Sequence, residues 1–281
     1  MRIICLGNGK SRLKIEVAKL KEYGKVYGCN AIYRDYPNDI DTIISVDNGI
    51  MHELYHEGLA TKIDCWFRNW TKLPGMMFDE TLRGAVAPKD LKEAYDSNLI
   101  KENEKGEATE YVMHGATLTG MAKIIKHNKE TKKVRVNKTH VYVSWIQPGD
   151  KSHSLVDVMP NGKDLGWAAG PCSGYVACKN ESPDELYLVG HDLFSSNFKV
   201  NNIYAGTRHY VTTEHNPTPA INWVRQWKDL FGMFPETKFI KVNWSMDERD
   251  KTCTRVSDWH GVPNLEYITT QDFQRRLDNN A

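Results

Sequence analysis

The stretch RIICLGNGKSR, from Arg2 to Arg12, decides the fold of this chain. Its first residues form a short apolar run of the kind found in buried strands, and Gly7 and Gly9 then turn the chain into a polar stretch that starts at Ser11. A strand, a glycine turn and a helix, in this order, are typical of the first unit of a parallel sheet covered by helices. The stretch therefore predicts an α/β protein.

The rest of the chain continues this alternation. Helices are predicted over residues 11–23, 49–57 and 219–231 and after Thr270. The first of them is expected to bury one face, formed by Leu13, Val17 and Leu20. Strands are predicted over residues 2–6, 25–29, 42–46, 63–67, 139–143, 185–189, 238–242 and 265–268. The expected fold is Rossmann-like: a mostly parallel sheet with helices on both faces and an inserted lid region.

The amino-acid composition indicates the class of protein. The chain has 281 residues, of which 40% are hydrophobic and 26% charged, and this balance predicts a soluble globular protein. We expect one domain over residues 1–281 with an irregular insertion at about 69–138. A net charge of +1 provides no overall field to attract nucleic acid or an anionic membrane. Six cysteines without a C-x-x-C pair favour reduced, buried thiols.

The amino terminus predicts a location. The apolar run before Gly7 is too short for a signal peptide or a membrane span, so we expect a cytoplasmic protein with no membrane span.

The glycine turn of residues 7–11 is similar to two phosphate-binding motifs and matches neither. Ile4 stands where a Walker loop has glycine, and Arg12 stands where the dinucleotide fingerprint has a small residue. A turn between strand and helix still points backbone N–H groups outward, where a phosphate binds. The predicted contacts are Gly7, Asn8, Gly9 and Ser11. The alternative is that the glycines only make a tight turn.

Polar residues also follow the second and third predicted strands. Asn30 ends the second strand, and Asp47 and Asn48 end the third. The carboxyl ends of parallel strands line one crevice, so these side chains are candidate nucleotide ligands. Their alternative role is to cap helices or fix turns.

Five short motifs share their order with a known family. They are G-N-G-x-S at residues 7–11, C-N at 29–30, S-G at 173–174, ELYLVGHD at 185–192 and Y-A-G at 204–206. The chain resembles bacterial sialyltransferases that use CMP-sialic acid, and their wider relatives, the flagellin-modifying motility accessory glycosyltransferases and archaeal hydroxymethylpterin pyrophosphokinases. Many such proteins are phage-encoded, and this chain is similar to them. The motifs leave out residues 69–138.

The resemblance implies roles for particular residues. The glycine turn and Asn30 would hold the ribose and phosphate of the nucleotide, and Ser173 and Gly174 would contact the nucleotide or the sugar. Asp192 would lie beneath the reaction centre, and Tyr204 would lie beside the nucleotide. The nucleotide sugar is then the donor substrate, and no separate cofactor and no metal are expected.

The chain departs from the family where the chemistry occurs. Phe194 and Val200 replace two tyrosines, and Thr207 replaces the histidine that follows Y-x-G. His209 is therefore the predicted general base, with Arg208 and Tyr210 stabilising the departing phosphate. The alternative is that these three are ordinary loop residues.

Two further patterns have competing interpretations. His52 to His56 spells H-E-x-x-H on a predicted helix, but no third ligand follows at the zincin position, so a zinc site is the minority hypothesis. The second pattern is a basic stretch, typical of a solvated helix, whose alternative role is to contact a nucleic acid acceptor such as modified phage DNA. It consists of Lys123, Lys126, Lys129, Lys132, Lys133, Arg135 and Lys138.

The leading hypothesis is a nucleotide-sugar-dependent glycosyltransferase that acts on a hydroxyl acceptor not identified by the sequence. The alternatives are a phosphotransferase or pyrophosphokinase on the same fold and a non-catalytic nucleotide-binding protein.

Overall fold

The structure is a computed structural model that describes residues 1–75, 109–114, 142–247 and 249–279. Its contacts divide the chain into two compact units, the first Met1–Ile44 with Leu165–Ala281 and the second Ser45–Asp164. The predicted insertion falls in the second unit, and most of it lies outside the described residues. The basic stretch lies wholly outside them.

A parallel sheet organises the fold. Its strands are β1 (Arg2–Leu6), β2 (Lys25–Cys29), β3 (Thr42–Ser45), β4 (Asp64–Phe67), β8 (Ser152–Ser154), β9 (Glu185–Val189), β10 (Lys238–Val242) and β11 (Leu265–Ile268). They lie in the order β11-β10-β9-β1-β2-β3-β4-β8. The pairs of β1 with β2 and with β9 are both parallel, with Ile4 opposite Val26 and Tyr187. The predicted α/β fold with a parallel, Rossmann-like sheet is confirmed.

Five helices accompany the strands in the described part of the chain. They are α1 (Leu20–Tyr23), α2 (Asn48–His56), α3 (Ala169–Glu181), α4 (Ile221–Met233) and α5 (Thr270–Asp278). Helices α2, α4 and α5 lie close to the predicted positions. Helix α3 is not predicted by the sequence, because Cys172 to Cys178 are buried in an unbroken run and a helix buried all round has no polar face. None of the described helices has the length and apolar character needed to cross a membrane.

The predicted helix over residues 11–23 is wrong in most of its length. The chain forms two short 3₁₀ helices, Lys10–Lys14 and Val17–Lys19, before α1 begins at Leu20. Leu13, expected in the core, is 69% exposed, whereas Arg12 is buried. The extended backbone at Ile15 interrupts the helix, so the face inferred from α-helical spacing does not form.

The second unit adds a small antiparallel sheet. Its strands are β5 (Trp70–Pro74), β6 (Glu110–His114) and β7 (Tyr142–Trp145), in the order β5-β6-β7. The strand predicted at residues 139–143 is thus seen from Tyr142 onward, and it extends two residues further.

Thiols are part of the core in both units. All six cysteines are free and buried, as predicted. Burial raises the pKa of Cys29 to about 11 and that of Cys178 to about 12, so both remain protonated and unreactive near neutral pH.

Candidate functional site

The order of the strands defines a switch point in the first unit. The chain passes from β1 to β2 on one side and later places β9 on the other side of β1. Open parallel sheets bind ligands in the crevice outside the carboxyl ends of the strands at such a point. Two segments flank it here: the glycine turn of residues 7–11 after β1, and residues 190–192 after β9.

The glycine turn is closed by hydrogen bonds within the protein. The N–H groups of Gly7 and Gly9 donate to the carbonyl oxygens of Val189 and Gly190, both at 2.8 Å. The next two N–H groups donate to side chains, Lys10 to Asn201 Oδ1 and Ser11 to Asp192 Oδ2, both at 3.0 Å. Contrary to the prediction, the turn presents no row of free N–H groups to a phosphate.

Close approach explains why glycines stand in this turn. A Cβ atom on Gly9 would lie 2.6 Å from Asp192 Cγ and 2.6 Å from Gly190 O, and one on Gly7 would lie 2.5 Å from Gly190 O. No side chain fits at such distances. The glycines therefore allow the segments after β1 and β9 to touch, and they support the tight-turn alternative.

Asp192 joins the two segments. It is 5% exposed, and its carboxylate accepts hydrogen bonds from the Ser11 N–H, the Ser11 hydroxyl and Asn201 Nδ2. Its predicted position at the end of β9 is correct, and its geometry is that of a residue that holds the switch point together.

Arg12 is the main functional candidate that sequence reasoning missed. Its guanidinium is 2% exposed, and Nη1 donates to Gly7 O at 2.9 Å and to Asn8 Oδ1 at 2.8 Å. Nη2 donates to the Tyr204 hydroxyl at 3.0 Å and lies 3.7 Å from Asp35 Oδ2. The only sequence signal was that an arginine replaces the small residue of the dinucleotide fingerprint.

A cleft of about 150 Å³ opens at the switch point. That volume suits a phosphate or diphosphate group and is smaller than the roughly 300–1,000 Å³ of pockets for drug-sized ligands. Lys10 and Lys14 on its wall are exposed and form no ion pair with any described residue. The lining consists of Lys10, Ser11, Lys14, Asp192, Ser195, Ser196, Asn197, Asn201, Asn243, Asp250 and Thr252.

The loop that carries the predicted base is anchored at the same edge of the sheet. Its Ile203 N–H donates to Asn8 O at 2.9 Å, and the Tyr210 hydroxyl accepts from the Ala31 N–H at 3.3 Å. His209 and Arg208 are exposed, and His209 has a φ of 67°.

Asn30 begins a short 3₁₀ helix at the end of β2 and has a φ of 52°. It lies directly after Cys29, whose carbonyl oxygen accepts from Asn8 Nδ2 at 3.1 Å. The structure thus places Asn30 beside the glycine turn, as predicted.

Three predicted nucleotide contacts, Ser173, Gly174 and Tyr204, pack and hydrogen-bond within the protein. Ser173 is fully buried in α3, where its hydroxyl donates to Gly170 O at 2.7 Å, and a Cβ on Gly174 would lie 2.6 Å from Leu230 Cδ2. The Tyr204 hydroxyl donates to Asp35 Oδ2 at 2.6 Å and accepts from Arg12. Helix packing and internal hydrogen bonds, not ligand access, account for these positions.

His191 is a neutral core residue. Burial, together with the nearby positive charge of Lys241, lowers its pKa to about 3. Its ring packs on Trp227 with centroids 5.0 Å apart. It therefore carries no charge near neutral pH and does not compete with His209 as a base.

The second unit contains the remaining predicted residues. Asp47 is the N-cap residue of α2 and Asn48 is its first residue, and neither is among the residues that line the cleft. The Asp47 side chain forms no capping hydrogen bond to α2, and the contact of these two residues with a nucleotide stays a prediction.

The H-E-x-x-H motif lies on α2, and β6 brings a third imidazole to it. The ring centroids of His52 and His56 are 4.1 Å apart, and those of His52 and His114 are 5.6 Å apart. We call His52, His56 and His114 the histidine cluster. Within the described ranges, no three His, Cys, Asp or Glu side chains are arranged to hold a metal ion.

Comparison of the chain with protein-family models, curated proteins and solved structures finds no match.

Proposed function

We propose that this protein is a nucleotide-sugar-dependent glycosyltransferase that binds the phosphate end of its donor in the switch-point cleft and transfers the sugar to a hydroxyl acceptor. One observation carries the proposal: the cleft lies where parallel α/β sheets bind nucleotides, and two lysines without ion-pair partners among the described residues stand on its wall.

The cleft suits the charge that the reaction develops. When the bond between sugar and phosphate breaks, negative charge grows on the departing phosphate oxygens, and fixed cations stabilise it. Lys10 supplies one cation from the turn that hydrogen bonds to Asn201 and Asp192 hold, and Lys14 supplies another from the end of the 3₁₀ helix Lys10–Lys14. Asp192 is in this scheme a positioning residue, because its carboxylate is already occupied by three donors.

The acceptor hydroxyl needs a base to take its proton. His209 is an exposed imidazole on a loop that is tied to Asn8 and Ala31, at the same carboxyl edge. Imidazole is the side chain that most often serves as a general base near neutral pH. Arg208, its exposed neighbour, adds a cation for the leaving nucleotide.

A panel of activated donors tests the proposal. The protein is incubated with CMP-, UDP- and GDP-sugars and with ATP, with water as the hydroxyl that accepts the sugar, and release of free nucleotide is followed by chromatography. We expect release from one class of nucleotide sugar, with Lys14→Ala reducing it at least tenfold and the exposed lysine variant Lys179→Ala, outside the cleft, leaving it unchanged.

His209→Ala tests the base separately. Turnover should fall by roughly two to four orders of magnitude with nucleotide affinity unchanged, since a base acts only in the chemical step. His260→Ala, another exposed histidine, is the matched control. Turnover at the wild-type level in His209→Ala would remove this residue from the mechanism.

Other outcomes would replace the proposed function. Release of AMP from ATP with no release from any sugar donor would identify a pyrophosphokinase. Nucleotide binding without turnover of any donor would identify a non-catalytic binding protein.

A further inference from the structure

The loop that carries His209 is bonded to the segment directly after β2. That segment is the 3₁₀ helix Asn30–Arg34, at the carboxyl edge of the sheet. Near the start of this helix the Ala31 N–H donates to the Tyr210 hydroxyl at 3.3 Å. The residue that follows His209 in the chain is therefore held at this edge.

Arg34, at the end of the same 3₁₀ helix, holds the residues that precede His209. Its Nη1 donates to the Thr207 hydroxyl at 2.9 Å, and its Nη2 donates to the carbonyl oxygen of Arg208 at 3.1 Å. A guanidinium is a planar fork with a fixed spacing of donors, so two bonds to successive residues fix the backbone in position and in orientation. The Thr207 hydroxyl in turn donates to Tyr204 O at 2.7 Å. Both sides of His209 are thus bonded to one short helix.

Two tyrosine rings hold the guanidinium of Arg34 in place. Its Cζ lies 6.0 Å from the ring centroids of both Tyr204 and Tyr210, a distance at which the ring face attracts a cation. Tyr204 is buried, and its hydroxyl donates to Asp35 and accepts from the buried Arg12. Arg34 therefore connects an exposed loop to the buried hydrogen bonds of the switch point.

The loop needs such a connection. Residues 206–209 are all exposed, and an exposed loop without fixed contacts samples many positions. A general base acts only when it lies within hydrogen-bond reach of the proton it removes. Neither Arg34 nor residues 204–210 line the cleft, so the contacts of Arg34 act on the loop and not on the site proposed for the donor phosphate.

We propose that Arg34 is a positioning residue that holds His209 where it takes the proton of the acceptor hydroxyl. The inference rests on the proposed function for the role of His209, and on the two hydrogen bonds of Arg34 for the positioning. Arg34 acts through Thr207 and Arg208. Its loss should therefore slow the chemical step and leave the binding of the donor unchanged.

Hydrogen–deuterium exchange of the free, full-length protein tests the hold on the loop. The reporting amides are those of residues 206, 207 and 210, which are bonded within the loop. In Arg34→Met they should exchange about tenfold faster, with an unchanged urea midpoint, because an exposed loop opens without global unfolding. Arg225→Met, which removes an exposed arginine of α4, is the matched control and should exchange like the wild type.

The partner residue provides a second pair of variants. Thr207→Val removes the hydroxyl that accepts from Arg34 and keeps the β-branched shape, so it should also speed exchange of the loop. Thr207→Ser keeps the hydroxyl and should behave like the wild type.

Steady-state kinetics test the link to the base, with CMP-, UDP- and GDP-sugars as donors and water as the acceptor. Arg34→Met should lower kcat by about ten- to a hundredfold, with KM for the donor unchanged within about twofold. Arg34→Lys should recover only part of the loss, since one ammonium does not reproduce the fork. In a His209→Ala background, Arg34→Met should cause no further loss, because a base that is absent needs no positioning.

The outcomes separate this inference from the proposed function. Wild-type exchange of the loop in both Arg34→Met and Thr207→Val would overturn the positioning role, and so would an undiminished loss of kcat in the His209→Ala background. Faster exchange in a protein that turns over none of the donors would instead overturn the proposed function, and Arg34 would then anchor the loop without serving a base. Should Arg34→Met not fold, Thr207→Val and Thr207→Ser provide the same comparison.

Discussion

The two units bury polar side chains in different ways. At the carboxyl edge of the first unit the buried polar groups include the charged side chains of Arg12 and Asp192, beside the neutral imidazole of His191. In the second unit the buried polar groups include the imidazole of His114, on which Trp70 packs with ring centroids 4.6 Å apart. Burial and the neighbouring imidazoles lower the pKa of His114 well below its usual value, so this ring is neutral.

This difference in buried polar groups distinguishes a candidate functional site from a packed core. Buried ions cost desolvation energy, so a protein keeps them where hydrogen bonds or a ligand compensate. The neutral imidazole of His114 packs among aromatic rings and carries no buried charge that a ligand would have to compensate. The edge of the first unit is therefore the better functional candidate, although the second unit carries the more recognisable sequence motif.

The largest expected effect concerns Arg12. Arg12→Met should lower the free energy of unfolding by about 3–5 kcal/mol, because Gly7 O, Asn8 Oδ1 and the Tyr204 hydroxyl lose a buried charged donor. Urea unfolding followed by fluorescence measures it. Arg225→Met, at an exposed position of α4, should change stability by less than about 0.5 kcal/mol. If Arg12→Met lowered the free energy of unfolding by less than about 1 kcal/mol, the hydrogen bonds of Arg12 would not be what stabilises this edge of the sheet.

Next in size is the contact between the segments after β1 and β9. Gly9→Ala should cost about 1–3 kcal/mol, since the new Cβ would lie 2.6 Å from Asp192 Cγ and from Gly190 O. Gly232→Ala in α4 is the control: a Cβ there meets nothing within 4 Å, and alanine should raise stability by up to about 1 kcal/mol. Equal effects of the two substitutions in chemical denaturation would contradict the close approach.

Acid sensitivity compares the buried histidines of the two units. The pKa of His191 is about 3 in the folded state and near 6.5 when unfolded, so the unfolded chain binds more protons between these values. The free energy of unfolding therefore has its highest value above about pH 6.5 and decreases as the pH is lowered. The contribution of His191 to this decrease is about 2 kcal/mol at pH 5. His114 acts in the same direction in the second unit.

Two variants test whether these histidines cause the loss of stability at low pH. His191→Asn and His114→Phe should each make unfolding less dependent on pH between 7 and 5 than in the wild type, because neither new side chain takes up a proton. The readout is the denaturant midpoint at each pH. An unchanged pH dependence in both variants would place the acid sensitivity in other groups.

Local sequence patterns were sufficient to predict most of the strands and the helices α2, α4 and α5. Apolar runs such as residues 2–6 and 185–189 are strands because both faces of a parallel sheet are covered, and this requirement leaves a readable trace in the sequence. The positions of Asp192 and Asn30 follow from the same pattern, since Asn30 comes directly after β2 and Asp192 lies three residues after the end of β9.

Motif order was a poorer guide to individual contacts. Ser173 and Gly174 match a nucleotide-binding motif, yet they lie in α3, where small residues allow Trp227 and Leu230 to pack closely. A sequence motif alone does not distinguish a small residue that leaves room for a ligand from one that allows a neighbouring helix to pack closely.

The sequence by itself determined the class of fold and the strand ends where polar groups gather, because both depend on neighbours along the chain. Only the tertiary structure decided which of those groups meet. The order β10, β9, β1 brings Asp192 to Ser11 and buries Lys241 between β9 and β11, although far-separated parts of the chain carry these residues. A lysine in a strand resembles an exposed residue until its neighbouring strands are known, since burial is a property of the whole sheet.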